Sequence, residues 1–449
     1  MARKFKTVDY EAALKMTLSV EASIPPGHLA RFVVEIVGQL DLSGIYQQYG
    51  DQGGEAYDPP MLLGLLFYGY ATGVFSSRQL EKMTDQSMPF YYIAGGLHPD
   101  HDTINTFRQR FLAEIKELFV QILLIAQADG VLKLGNISID GSKIHADASK
   151  SKAISYKHLL ETESKLQAEV AGLFALSEQV DLPPGLDVAA EIRLRRDRLS
   201  NLSQAKAVLQ DRATARYEIE LAEYEAKMAA REEKSKQTGR KPRGRTPKAP
   251  LPGARDKDQY NFTDPTSRMM KNSHNAGFDQ HYNVQVGVEQ LSRLIVTNRV
   301  SDQPNDKQQA IPTLDAVPAL LGTPAGAALD NGYFSEATIA EFAARGVEPY
   351  IATGREPHHL SWEHFFQQHP TPPAAEASPK EKMAYKLQTE IGQSIIRLRK
   401  STVEPVIGII KEILRFRQFS LRGLAKAAGE WTLICIGYNL KRLHTLMAA

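Results

Sequence analysis

Apolar residues recur every three or four positions along the first 125 residues, and this spacing predicts an all-helical segment. In "HDTINTFRQRFLAEIKELFVQILLIAQADG" the stripe begins with Ile104, Phe107 and Phe111. The same period returns over residues 157–235, in two stretches that a Pro-Pro-Gly turn separates, so we predict an antiparallel helical hairpin there. On the polar side of the N-terminal segment lie three cations that either DNA contact or simple solvation would explain, namely Arg108, Arg110 and Lys116.

Strand patterns lie between and after these helices. Residues 131–144 are strand-like, and "HYNVQVGV" and "LIVTNRV" flank a short turn, which predicts a β-hairpin. Helix and strand signals then alternate up to "VEPYIATG". Residues 355–390 have the Pro- and His-rich composition of a loop, and residues 391–415 are again helical. A hairpin combined with alternating helices and strands predicts a mixed α/β (α+β) fold class.

This order of elements predicts three domains. Residues 1–128 form an all-helical N-terminal domain that we expect to bind DNA. Residues 129–156 and 258–449 together form the mixed domain, and residues 157–257 form an insertion made of the helical hairpin and a basic linker. The length of 449 residues agrees with this division, since a domain averages about 150 residues.

Composition narrows the class of protein. With 43% hydrophobic and 24% charged residues, the chain has the composition of a globular protein. Its longest apolar run, residues 61–75, is shorter than the roughly 20 residues that a membrane span needs. The single cysteine, Cys435, stands in an apolar context and has no partner within the chain, so a reducing compartment is expected.

Positive charge is concentrated in one segment. The whole chain has a net charge of +2, whereas residues 231–248 carry eight Lys or Arg and two Glu, a net charge of +6. A flexible solvated linker and a nucleic-acid arm both fit this composition. "PRGRTP" also resembles the core of a minor-groove hook, with Thr246 where that core has proline. The candidate phosphate contacts of the arm are Arg240, Lys241, Arg243 and Arg245.

Three carboxylates stand where metal-dependent chemistry would need them. Asp140 ends the first predicted strand, Asp330 ends the short strand "GAALD", and Glu404 lies in "RLRKSTVEPVIGIIK". A two-metal nuclease gathers carboxylates from separate rigid elements, although an aspartate before a turn is often only a turn former. The rival side chains are Asp147, Asp264, Asp279, Asp302, His145, His274 and His281.

Helical spacing places Glu404 among cations. Arg397, Lys400 and Lys411 lie at −7, −4 and +7 from it, offsets that fall near one face at about 100° per residue. Pro405 biases Glu404 away from helical angles, so a kink or a helix start at this point is an alternative. In that case Lys411 keeps its phase with Glu404, whereas Arg397 and Lys400 lose theirs.

Four motifs in this order resemble the bacterial insertion-sequence DDE transposases: "ISIDGSKIHADASK", "NFTDPTSRMMK" with "FDQHYNVQVGV", "ALDNGYFS" and "STVEPVIGIIK". The branch that the chain resembles has a helical N-terminal domain, here "DPPMLLGLLFYGY" and "TINTFRQRF", and an insertion after the first strand. The resemblance implies an RNase H-like catalytic core interrupted by that insertion. It also implies two Mg²⁺ ions per active site, with Mn²⁺ as a substitute.

Carried over by position, Asp140, Asp330 and Glu404 are similar to the three acidic residues that hold the metal ions and perform catalysis. The third motif of the family often reads Tyr, two residues, Arg, three residues, Glu, six residues, Lys. Glu404 and Lys411 match it, whereas Lys400, beside Arg399, stands at the Arg position and Arg397 at the Tyr position. The DNA-binding residues expected around the acids are Lys143, Asn331, Arg397, Lys400 and Lys411.

Lys411 is expected to contact a phosphate near the scissile end, and Asn331 is expected to position water or a carboxylate. The function that follows is cutting of the terminal inverted repeats of an insertion sequence and joining of the 3′-OH ends to target DNA. The expected partners are double-stranded DNA and further copies of the chain, as a homodimer or higher oligomer, with no membrane and a cytoplasmic, nucleoid-associated location. Two alternatives remain: a catalytically inactive DNA-binding descendant, and an RNase H-like nuclease without strand transfer.

Overall fold

A computed structural model describes residues 19–50, 54–177, 187–240, 244–272, 277–354, 372–374 and 376–448. The chain forms two compact units, one from Met1–Ala146 and Tyr282–Ala449, the other from Asp147–His281. In the described ranges, none of the helices combines the length and the apolar character that a membrane crossing requires. The three-domain division stays a prediction.

The helices and strands follow in chain order. The helices are α1 (Val20–Ser23), α2 (Leu29–Gly38), α3 (Ser43–Tyr46), α4 (Pro59–Thr72), α5 (Ser77–Gln86), α6 (Met88–Ile93), α7 (His101–Arg110), α8 (Leu112–Ala128), α9 (Tyr156–Ser177), α10 (Val188–Thr238), α11 (Ala310–Leu314), α12 (Glu336–Ala344), α13 (Pro379–Gln388), α14 (Glu390–Gly408) and α15 (Leu424–Met447). The strands are β1 (Asn136–His145), β2 (Ala153–Ser155), β3 (Gln259–Asn261), β4 (Arg268–Lys271), β5 (Phe278–Glu289), β6 (Ile295–Ser301), β7 (Gly326–Leu329) and β8 (Glu348–Ile351).

A mixed sheet forms the centre of the first unit, in the order β6-β5-β1-β7-β8. β5 and β6 are the predicted antiparallel hairpin, and β7 pairs in parallel with both β1 and β8. The mixed α/β fold class is therefore confirmed. β5 begins in the second unit, where its first four residues pair with β4.

The central helix of the first unit is α15, which packs on β6 and on the N-terminal helices α4 and α8. Its buried Glu430 accepts hydrogen bonds from the Ser420 and Leu421 backbone N–H groups (2.9 and 3.0 Å) and lies 3.9 Å from the Arg108 guanidinium. Arg108 is only 4% exposed and donates to the Tyr70 hydroxyl. The hypothesis that Arg108 contacts DNA is therefore wrong, because its charge balances a buried carboxylate.

Three local predictions are corrected by the structure. Residues 379–388 of the predicted loop form α13, which begins with a capping box between Ser378 and Glu381. α14 continues through Pro405 as helix, followed by a π-helical turn at Ile409–Ile413. The basic segment also begins as helix, since α10 extends to Thr238.

In the second unit, α9 and α10 pack against each other around a small apolar core, of which Leu159, Leu166 and Leu209 are buried members. Ion pairs flank it, with Lys206 2.7 Å from Glu163 and Arg216 2.8 Å from Asp258. Since the described residues of α10 that are buried extend only to Ala213, the rest of this 51-residue helix is solvated on most of its surface.

We expect Gly437→Ala to destabilise the first unit by roughly 1–3 kcal/mol, as over-packing does. A Cβ at Gly437 would lie 2.7 Å from the backbone of Tyr70 and Ala71, where α15 crosses α4. Gly408→Ala is the matched control, because its Cβ would meet open space at helical angles and alanine gains up to about 1 kcal/mol in a helix. Urea unfolding of both variants measures the difference, and equal effects would contradict the close crossing.

Candidate active site

The register of the sheet brings two of the candidate acids together. β1 and β7 are parallel, with Ile137 opposite Ala327 and Ser138 opposite Ala328. Continuing that register by two residues places Asp140 opposite Asp330, on neighbouring strands about 4.8 Å apart. Asp330 directly follows β7, and its carboxylate accepts a hydrogen bond from Gly332 N–H (2.8 Å) at the start of a short 3₁₀ turn.

Helix α14 carries the third acid and packs on β1. Thr402 contacts Ser138, with 2.9 Å between the two hydroxyl oxygens. One turn earlier on the helix, Arg399 reaches the next same-face residue of the strand, and its Nη1 donates to Asp140 Oδ2 at 3.2 Å. Its Nη2 donates to Glu404 Oε1 at 2.9 Å, so one guanidinium bridges the first and third acids.

Sequence reasoning noted Arg399 only as the neighbour of Lys400 and gave it no role. The spacing of the residues could have indicated this contact. Arg399 and Thr402 are three residues apart and share one face of α14, and Asp140 and Ser138 are two residues apart and share one face of β1. A helix face and a strand face with these spacings come into register when the helix packs on the strand. What the sequence does not contain is the direction and angle at which α14 crosses the sheet.

Burial and the positive charge of Arg399 act in opposite directions on the pKa of Asp140. Burial raises the pKa of Asp140 to about 7, Arg399 opposes that shift, and the negative charges of Asp330 and Glu404 add to it. The side chain of Asp140 is 20% exposed, whereas that of Glu404 is 48% exposed. The cluster thus combines one buried acid with one that faces solvent.

A buried polar network lies behind the cluster. The Tyr333 hydroxyl, just after Asp330, donates to Gln285 Oε1 (2.6 Å), and Gln285 Nε2 donates to Asp306 Oδ1 (2.7 Å). The same amide fills the space above Gly141, where an added Cβ would collide with it. The network therefore joins the residue after Asp140 to the turn after Asp330, and the sequence analysis missed it.

The four cations expected around the acids differ in burial and in hydrogen-bond partners. Lys411 Nζ donates to the hydroxyl of Ser142 on β1 (3.1 Å), and burial lowers the pKa of Lys411. Lys143 lies on β1 itself and is half-buried. On α14, Arg397 and Lys400 lie at positions −7 and −4 from Glu404, and Arg397 donates to Gln393 on its own helix (3.3 Å).

Asn331 is exposed at the first position of the 3₁₀ turn. In the second unit, Arg240 and Arg245 are exposed, whereas Lys241 and Arg243 lie outside the described residues. Among the rival acids, Asp264 is fully buried and its carboxylate accepts from Thr266, which makes it a turn residue.

The acids supply only oxygen ligands, which are the ligands that Mg²⁺ prefers. Across the part of the chain that the structure describes, however, no three His, Cys, Asp or Glu side chains are grouped closely enough to hold a metal ion. The Arg399 guanidinium lies between Asp140 and Glu404, where a shared cation would contact both. The carboxylate oxygens of the three acids are ligands of the type that a divalent ion prefers. A positive charge, that of Arg399, occupies the position between Asp140 and Glu404.

Comparison with known protein families identifies two stretches. Residues 18–110 match the Transposase domain (DUF772), and residues 368–444 match the Transposase DDE domain, which includes Glu404 and α14. The two matches support an insertion-sequence DDE transposase. The DDE domain implies an RNase H-like core, and the mixed sheet of this transposase is that core.

The DDE transposase family suggests a DNA-cutting and DNA-joining enzyme, generally uses divalent metal ions and implies DNA binding. Nothing among curated proteins or solved structures matches this transposase. Because neither matched stretch includes Asp140 or Asp330, the roles of these two residues stay predictions.

We expect Asp140→Asn to stabilise the protein at pH 8 in the presence of EDTA. Since burial raises the pKa of Asp140 to about 7 from its ordinary 3.8, the folded state loses stability as pH rises from 4 towards 7. Asparagine carries no charge, so its advantage is near zero at pH 4 and grows to roughly 2–4 kcal/mol at pH 8.

Urea unfolding of wild type and variant at pH 4.5, 6 and 8 measures this difference. The control is Glu117→Gln, an exposed carboxylate on α8 that is expected to change stability by less than about 0.5 kcal/mol. An advantage of Asp140→Asn that is the same at all three pH values would show that the carboxylate is not held in a buried position.

Proposed function

We propose that this transposase cuts the terminal inverted repeats of its insertion sequence and joins the freed 3′-OH ends to target DNA, with Asp140, Asp330 and Glu404 as its catalytic acids. The observation that carries the proposal is the convergence of three acids that are far apart in the chain. Asp140 lies midway along β1, which continues to His145, Asp330 directly follows the parallel neighbour β7, and Glu404 is tied to Asp140 through Arg399.

Each reaction step exchanges one bond at phosphorus for another. In cutting, a water oxygen attacks the phosphorus, the bond to the 3′ oxygen breaks, and the 3′ oxygen leaves with a proton. In joining, that 3′ oxygen attacks a target phosphorus and displaces a second 3′ oxygen. Two divalent ions, Mg²⁺ or Mn²⁺, when bound, activate the attacking oxygen and stabilise the leaving one.

The residues of the chain hold and orient the reacting groups. Asp140, Asp330 and Glu404 would hold the ions, once Arg399 moves from its position between two of them. We assign Lys411 a phosphate contact, which its position beside Ser142 on β1 and its three N–H donors support. We assign Asn331, which is exposed just after Asp330, the positioning of water or of a carboxylate.

The remaining expectations concern DNA and assembly. Lys143, Arg397 and Lys400 contribute positive charge around the acids, and the arm residues Arg240, Lys241, Arg243 and Arg245 add charge that tracks the DNA backbone. A homodimer or higher oligomer on DNA would hold two element ends together. Acting on chromosomal DNA would place the transposase at the nucleoid.

Asp140→Asn should abolish cutting, by at least about a hundredfold, while DNA binding survives, because the change removes a ligand charge and leaves the fold intact. The measurement is cleavage of a DNA fragment that carries the element's own ends, with Mg²⁺, alongside a gel-shift assay. Asp129→Asn, an exposed change after α8, should retain wild-type cutting. Cutting by Asp140→Asn at the wild-type rate would remove Asp140 from the site.

The same assay separates the two alternative functions. A wild-type protein that binds the ends but never cuts them would be a DNA-binding descendant without chemistry. Cut ends that never become joined to target DNA would identify a nuclease without strand transfer. Joined products support the transposase.

Metal binding has a test that needs no activity. Mg²⁺ or Mn²⁺ should raise the melting temperature of the wild type, with a stabilisation of about 1 kcal/mol at an ion concentration five times the Kd. Asp140→Asn and Asp330→Asn should lose most of that ion-dependent shift, whereas Asp129→Asn should keep it. An equal shift in all four proteins would place the bound ion elsewhere.

A further inference from the structure

A buried amide lies where the end of β5 meets β1 and α14. Gln290 directly follows β5 and is only 4% exposed, and its backbone N–H donates to the Asn136 carbonyl at the start of β1 (2.9 Å). Its side-chain Nε2 donates to Ser138 Oγ and to the Ile395 carbonyl, both at 3.0 Å. One side chain therefore joins three elements: the end of β5, the strand β1 and the helix α14.

The orientation of this amide is fixed by its partners. A backbone carbonyl accepts hydrogen bonds and cannot donate them, so the nitrogen of the Gln290 amide has to face Ile395. The Oε1 atom of Gln290 is buried and, within the described residues, has no hydrogen-bond partner. An apolar side chain of the same shape would avoid this unpaired acceptor, so stability alone does not account for an amide at this position. The two hydrogen bonds of its nitrogen are what an apolar side chain would lack.

A second polar contact joins α14 to β1. The hydroxyl oxygens of Thr402 on α14 and Ser138 on β1 lie 2.9 Å apart, and both residues are almost fully buried. Thr402 Oγ1 also donates to the Leu398 carbonyl of its own helix (2.6 Å). Ser138 thus contacts both Gln290 and Thr402, and polar contacts tie α14 to the sheet at two points, Ile395 and Thr402.

The two tied points lie on either side of Arg399. Ile395 is four residues before it and Thr402 is three residues after it, so each lies close to one helical turn away. On the strand, Ser138 and Asp140 are two residues apart and share a face. The polar contacts therefore determine where the Arg399 guanidinium meets Asp140.

The apolar contacts of α14 do not set this position by themselves. Ile395 packs with Ala328 on β7 and Tyr350 on β8. Apolar packing is non-directional, whereas a hydrogen bond weakens steeply when its angle or length changes. Ligands of a metal site have to be placed within about 0.5 Å, so a helix that carries Glu404 needs directional contacts.

We propose that Gln290 is a positioning residue, which fixes α14 along β1 and so sets the distance between Glu404 and Asp140. This inference rests on the proposed function for the use of that distance, but Gln290 itself is buried and lies outside the acidic cluster. The hydroxyls of Ser138 and Thr402 complete the contact. Loss of the amide would leave the fold in place and the acids imprecisely spaced.

The affinity for Mn²⁺ tests the proposal. The full chain, bound to a duplex that carries the element's own ends, is titrated with Mn²⁺, and the free ion is measured by electron paramagnetic resonance. Gln290→Met keeps the length of the side chain and removes both donors. It should raise the Kd for Mn²⁺ roughly tenfold, the lower end of the loss that follows removal of a supporting residue around a metal site. Thr402→Val, which removes the other contact, should act in the same direction.

Thr297→Val is the matched control. Thr297 is fully buried on β6 and its hydroxyl donates to the Thr313 carbonyl (3.0 Å), so this change also removes a buried hydrogen bond from the sheet. Helix α14 packs on β1, β7 and β8, so the control should lower the melting temperature and leave the Kd unchanged.

Melting temperatures establish that each variant is folded, and if Gln290→Met is not, Thr402→Val carries the test. A loss of stability alone would lower the melting temperature without raising the Kd. A Kd equal to that of Thr297→Val would therefore overturn the proposal.

A double-mutant cycle measures the position of α14 without metal. Urea unfolding in EDTA is compared for Gln290→Met, for Arg399→Gln and for the double variant, with Arg399→Lys in place of Arg399→Gln if the latter does not fold. The combined effect on the unfolding equilibrium constant should differ from the product of the single effects by at least about threefold, as for coupled residues. Thr297→Val combined with Arg399→Gln should give the product. A simple product for both pairs would also overturn the proposal.

The outcome is separable from that of the proposed function. If Asp140→Asn still cuts DNA, or if the wild type binds no Mn²⁺, the acidic site is wrong and the double-mutant cycle alone decides whether Gln290 positions α14. If cutting depends on Asp140 while Gln290→Met binds Mn²⁺ as Thr297→Val does, the acidic site stands and the positioning role is wrong.

Discussion

The parallel register between β1 and β7 is the constraint on which the site depends. Side chains alternate along a strand, so a slip of one residue would turn Asp140 to the opposite face from its present neighbours. Gly326 helps to fix the register, because a Cβ there would lie 2.8 Å from Asn136 Oδ1 and 3.0 Å from the Glu348 carbonyl. The close approach of three strands thus sets where two acids, 190 positions apart in the sequence, meet.

Bringing carboxylates together in this way is electrostatically unfavourable unless a cation lies close to them. Asp140 is mostly buried, and two like charges raise its pKa further. Arg399 provides the offset with one planar group whose two nitrogens reach two carboxylates, a geometry that lysine does not offer. On the proposed function, a divalent ion bound by both acids would take the position that the guanidinium occupies.

Much of the architecture could be predicted from the sequence, because hydrophobic period and turn chemistry are local signals. The β5–β6 hairpin, the helices of the N-terminal segment and the position of Asp330 after β7 follow from them. The prediction that Asp140 ends its strand is wrong, because β1 continues to His145. Arg108 and Arg399 could not be assigned in the same way. Each is a polar residue on a helix, and only the packing of that helix against Glu430 or against β1 decides whether it faces solvent or a buried carboxylate. The missed helix α13 is different, since its Ser-Pro-Lys-Glu capping box was legible in the sequence.

The acidic cluster requires precise placement of its side chains. Acids that would hold metal ions must be placed within fractions of an ångström, which calls for strands, a packed helix and a buried network such as that of Gln285 and Tyr333. β5 contributes to this placement, because the Gln285 side chain supports the turn after Asp330 while its backbone pairs with Arg299 on β6. A change in the sheet at Gln285 would therefore disturb the turn that carries Asp330.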